Sequence, residues 1–127
     1  MEDLKIEATD STPEIYCEVS TRRIMFRGRS IPENATSFYS PVFDWIENYK
    51  QSDAPKTELE FYLDYINSIS QKIILDILNE FSDFKEKGND VKVKWVYVAD
   101  DEEMEDEGRV FASKVDLDFE LIPKTVG

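Results

Sequence analysis

With 127 residues, 41% of them hydrophobic and 13% aromatic, the chain can bury a core without help from metals or disulfides. Its 28 acidic against 15 basic side chains leave a net charge of −13, which argues against nucleic acid or an anionic membrane as partner, because both need cationic contacts to phosphate. There is no histidine, so the commonest acid–base catalyst and zinc ligand is missing.

The one cysteine, Cys17, cannot close an intrachain disulfide, and a reducing cytoplasm is the simplest home. No apolar run approaches the roughly 18 residues of a membrane span, and the opening MEDLKIEA has no signal-peptide character. No repeat or low-complexity tail interrupts the chain, so a single domain over residues 1–127 is expected.

In chain order, residues 4–8 alternate and predict a short strand, and Asp10-Ser11-Thr12-Pro13 predicts a turn. Ile15, Cys17 and Val19 alternate with polar neighbours in a second strand, with Cys17 on the apolar face as a small core residue. Thr21-Arg22 forms a hairpin turn into a third strand, 23–27, which Gly28 closes. A loop from Arg29 to Asn34 follows, with Asn34 a candidate N-cap. Phe38, Val42, Trp45 or Ile46, and Tyr49 recur at helical spacing. Pro41 falls inside that pattern, where a helix interior would lose about 3 kcal/mol or more. The regular helix is therefore expected to start near Ser40, with 34–39 as a separate turn. Gln51 to Pro55 is a polar connector.

The most informative stretch is Leu59 to Phe84. Leu59, Phe61, Leu63 and Tyr65 alternate with Glu60, Tyr62 and Asp64, as a half-buried strand does. From Ile69 the period becomes helical: Ile69, Ile73, Ile77, Phe81 and Phe84 form a stripe that Ile74, Leu75 and Leu78 widen. Asn67, Ser68 and Ser70 are all N-cap types, and Gly88 ends the helix after Lys85 and Lys87. A hydroxyl at such a corner sits where open α/β sheets place their ligand chemistry, and a helix N-terminus favours phosphate. Lys72, one turn in, supplies a countercharge. A serine here also serves as a plain helix cap, and the physics of the residues leaves that alternative open.

Val91, Val93, Trp95 and Tyr97 form a further strand, so strand–helix–strand implies a parallel pair with a right-handed crossover. The acidic residues at 100–103 and 105–107 lack the order of a calcium loop and read as a solvated helix start, with no metal or cofactor expected. Met104, Phe111 and Val115 face the sheet from a third helix, and 117–122 forms an edge strand. The fold class is α/β: one mixed sheet of about six strands with about three helices.

Several short segments together resemble the SiaC family of regulatory phosphoproteins: Ile6-Glu7-Ala8-Thr9 with Ser11-Thr12-Pro13, Gly28 to Asn34, Tyr65 to Lys72, Leu75 to Leu78, and Val93 to Tyr97 before the acidic run. The resemblance implies a STAS-like fold, similar to anti-sigma-factor antagonists, and a non-catalytic partner-switching role. It places the family's phosphorylated threonine on Ser68, with Ser70 as second choice. Two departures stand at the corner, serine for threonine at 68 and Ile69 for a serine. The implied partners are a protein kinase, a PPM-type serine/threonine phosphatase and a diguanylate cyclase that the unphosphorylated form stimulates in cyclic di-GMP and biofilm signalling. The expected interface takes in Asn67, Ile69, Ser70, Lys72, Glu33 and Asn34. Two rival functions are an anti-sigma-factor antagonist acting through the same corner and a small carboxylate- or metal-dependent enzyme.

Overall fold

In the computed structural model, which describes residues 1–53 and 56–126, six strands form one sheet in sequence order. They are β1 (Leu4–Ile6), β2 (Glu14–Glu18), β3 (Arg23–Ser30), β4 (Lys56–Ile66), β5 (Asp90–Val98) and β6 (Asp118–Lys124). The first three pair antiparallel and β3 to β6 run parallel, so the sheet is mixed as expected. The parallel strands are joined by α1 (Ala35–Tyr49), α2 (Ser68–Glu86) and α3 (Glu102–Lys114). Crossovers of one hand that step steadily across a sheet put their helices on the same face.

That face holds the core. An aromatic row crosses it, with Phe26 stacked on Phe61 at 4.7 Å, Phe61 against Trp95 at 5.5 Å, and Trp95 against Phe111 of α3 at 5.3 Å. The opposite face, which no helix among the described residues covers, carries charges of alternating sign on neighbouring strands. Arg23 pairs with Glu58 at 3.1 Å, Glu58 with Lys94 at 2.9 Å, Arg27 with Glu60 at 3.2 Å and Lys92 with Glu120 at 3.1 Å. Each such pair contributes only about 0.2–1 kcal/mol, but together they let a one-sided sheet face water.

Four expectations need correction. The first helix starts at Ala35, capped by Asn34 through its side chain to the Ser37 amide at 3.1 Å, and carries Pro41 inside it. Ser37, whose carbonyl Pro41 leaves without its helical donor, is exposed, so water can satisfy that carbonyl. The buried stripe of Tyr39, Val42, Trp45, Ile46 and Tyr49 outweighs the lost bond. Gly28 does not end the third strand, which runs on to Ser30. At a φ of +115° it stands opposite a bulge in β4, where Gly28 pairs with Leu63 but Arg29 pairs with Tyr65. The extra residue, Asp64, shifts the phase of β4, so Tyr65 turns out to solvent and Ile66 turns in. Ile69 also points outward: at about 100° per residue it lies more than 100° from the centre of the buried arc of Ser70, Ile74, Ile77, Leu78 and Phe81. The connector at 51–55 is described only as far as Asp53, since 54 and 55 lie outside the described residues.

Candidate functional site

The corner between β4 and α2 stands at the C-terminal ends of the parallel strands, the end where such sheets usually bind ligands. Asn67 is the cap: its side-chain oxygen accepts from the Ser70 amide at 2.9 Å, and its carbonyl accepts from the Gln71 amide at 2.9 Å. Ser68 is therefore the first helical residue and is exposed. No acidic side chain occupies this first turn, in contrast to α3, whose start carries Glu102, Glu103 and Glu105 behind the cap Asp101.

Ser70, two residues on, is in a different environment. It is fully buried, and its hydroxyl donates to the Ser30 carbonyl at 2.8 Å. A hydroxyl has one proton, so the 2.8 Å contact between the Ser70 and Ser30 side chains must be Ser30 donating. The Tyr39 hydroxyl in turn donates to Ser30 at 2.6 Å. The result is a one-way chain, Tyr39 to Ser30 to Ser70 to the Ser30 carbonyl, which also accepts from the Asn67 amide at 3.2 Å. Burial pushes the Tyr39 phenol up, with the Ser30 bond opposing, so it stays a proton donor.

Two grooves meet at Ser68. One, of about 630 Å³, lies between α2 and α3 and is lined by Gln71, Lys72, Leu75, Glu103, Asp106 and Val110 among others. Within it Gln71 hydrogen-bonds Glu107. The other, of about 420 Å³, is shared with Thr36 of α1, Ile69, Lys72, Ile73 and Asp76. Val110 lines the first groove and Ile69 the second, at 47% and 58% exposure, while Tyr65, 51% exposed, lines a smaller cleft with Glu103 and Glu107. They are the exposed large hydrophobic side chains among the described residues other than Met1 and Val126.

Of the residues expected at an interface, Ser68, Ile69 and Lys72 share one groove, with the cap Asn67 half-buried beside them. Ser70 lies beneath the surface. Asn34 caps α1 two residues before Thr36, and Glu33 before it is exposed. Sequence reasoning missed Ser30 and Tyr39, and it missed Val110 and the outward turn of Tyr65. Gly28, which takes a positive φ in β3 opposite the bulged residue Asp64, was the available signal for the last of these. Among the described residues no helix is long and apolar enough to cross a membrane, and no three acidic or cysteine side chains converge to hold a metal ion.

A profile of the SiaC family regulatory phosphoproteins matches residues 6–124. The chain belongs to that family. It is 34% identical over 97 residues to an uncharacterized protein of Pseudomonas aeruginosa strain UCBPP-PA14, a span of 76% of this chain and 77% of that one. The crystal structure of apo-SiaC from Pseudomonas aeruginosa superposes with a TM-score of 0.89 at 30% identity, over 96% of this chain and 99% of that chain. A chain of the crystal structure of the diguanylate cyclase SiaD in complex with its activator SiaC, from the same organism, gives 0.92 at 29% identity over 96% and 100%.

Proposed function

We propose that this SiaC-family chain is a cytoplasmic, non-catalytic switch that binds and stimulates a diguanylate cyclase when Ser68 is unmodified. A kinase phosphorylates Ser68 and a PPM-type phosphatase restores it. The observation that carries this reading is the contrast between two serines on one helix turn. Ser68 is open to solvent at a helix start free of acidic side chains, in grooves that exposed Val110 and Ile69 also line, whereas Ser70 is closed off and hydrogen-bonded. The likeness to a SiaC solved with its cyclase supports the class of partner.

The switch follows from charge. A phosphate adds nearly two negative charges and three acceptor oxygens at a spot that the partner would otherwise cover around a small neutral hydroxyl. Desolvating an uncompensated charge costs several kcal/mol, and each 1.4 kcal/mol is tenfold in affinity. The test has two arms. Phosphopeptide mapping after incubation with cell lysate and ATP should place the phosphate on Ser68 in the wild type and in Ser70→Ala, and lose it in Ser68→Ala. Cyclic di-GMP formation by the diguanylate cyclase from the same cells should be stimulated by Ser68→Ala and weakly, if at all, by Ser68→Asp. Phosphate on Ser70, or full stimulation by Ser68→Asp, would reject the proposal.

A further inference from the structure

The buried hydroxyl chain joins the three elements that meet beneath Ser68. Tyr39 belongs to α1, three residues beyond Thr36; Ser30 ends β3; Ser70 lies two residues beyond Ser68 on α2. Thr36 and Ser68 line opposite walls of one groove, so the chain ties both walls to the sheet. Further along, α1 and α2 meet through aromatic side chains, Tyr49 against Phe81 and Phe84 at 6.3 and 5.7 Å. Aromatic pairs of that kind accept a range of distances and tilts. Three buried hydroxyls with a single allowed donor order accept one arrangement and no other, because any shift leaves an unsatisfied buried group.

We infer that Tyr39 and Ser30 are positioning residues, which hold the N-terminus of α2 and the adjoining wall of α1 in the one geometry that shapes the Ser68 groove. This rests on the reading of that groove as the partner surface, but its test needs neither phosphate nor partner. Tyr39→Phe keeps the ring and removes only the first donor. Ile77→Val, two turns along α2 in the core, is the control for a general loss of stability. Amide hydrogen exchange on the intact chain reads the corner directly at Asn67, Ser70 and Gln71, whose amide partners are the Ser30 carbonyl and the Asn67 side chain and carbonyl.

In Tyr39→Phe these three amides should exchange about three- to tenfold faster, as loss of one buried hydrogen bond implies. Ile77→Val with a similar denaturation midpoint should leave them near wild type. Equal acceleration in both variants, or none in Tyr39→Phe, would overturn the inference. If the exchange result holds while Ser68→Asp still stimulates the cyclase, the positioning role stands and the partner-surface reading falls.

Discussion

Gly108→Ala tests how α3 is seated, since α3 supplies one wall of the larger groove at Ser68. Helix propensity alone predicts a gain of about 1 kcal/mol, because Gly108 is inside a helix. The packing predicts the opposite. A Cβ on residue 108 would stand 2.7 Å from Trp95 Nε1 and 2.9 Å from Trp95 Cγ. The indole has no room to turn: it is flanked by Phe61, Phe111 and Phe119, and its N–H donates to the Met104 carbonyl at 2.9 Å. The helix must lift instead. Overpacking of this kind costs about 1–3 kcal/mol, and loosening the buried indole hydrogen bond adds about 1 kcal/mol. After the propensity gain, a net loss of about 2 kcal/mol remains. For 127 residues, at about 2.1 cal/mol/K each, that lowers the unfolding midpoint by about 7 °C. Thermal unfolding followed by near-ultraviolet circular dichroism measures it. A variant that unfolds at or above the wild-type temperature would refute the close seating of α3 on Trp95.

Ser70→Ala should lower stability by about 1–3 kcal/mol in denaturant unfolding, because it leaves the buried Ser30 hydroxyl without an acceptor. Ser68→Ala, on the surface, should stay within about 0.5 kcal/mol of wild type, and equal losses at the two positions would contradict the buried network. Cys17 is fully buried, and burial first, with Asp3 adding, pushes its thiol up to about 12. It should therefore resist a disulfide reagent at pH 8 in the native protein and react stoichiometrically once unfolded; rapid native labelling would contradict its place in the core.

Elements with a single dominant period were legible in the sequence. Leu59, Phe61 and Leu63 alternate into the core as their spacing requires, and Asp101 to Glu105 cap and line a helix start as acidic residues should. The misreadings share a cause: a local rule met a tertiary term it could not see. Pro41 weighed against a helix from 35, yet the carbonyl that loses its helical donor to Pro41 belongs to exposed Ser37, while five large side chains of the same helix are buried. Tyr65 continued the alternation of β4 on paper, but the bulge opposite Gly28 and Arg29 shifted it by one residue. Ile69 matched helical spacing and still faces water, because the arc that the sheet covers is centred elsewhere. At the corner, three cap-type residues were visible, but only packing distinguishes Asn67 as cap, Ser68 as exposed hydroxyl and Ser70 as buried link.

The same geometry explains why a phosphate on Ser68 would act on a partner more than on the fold. The positive end of α3 already faces its own acidic side chains, Glu102, Glu103 and Glu105, while the start of α2 has none. A phosphate there would gain about 0.3–1 kcal/mol from the helix end, and Lys72 lines both grooves as a nearby countercharge. Across the larger groove it would meet Glu103, Asp106 and Glu107, whose repulsion through water is of the same order, about 0.2–1 kcal/mol for each pair. These terms nearly cancel while the groove is wet. Once a partner excludes water, screening is lost and the charge must be desolvated, so the imbalance grows to several kcal/mol. Under the proposed switch the fold would thus tolerate either form of Ser68, and the free-energy difference between them would arise where a partner covers the corner.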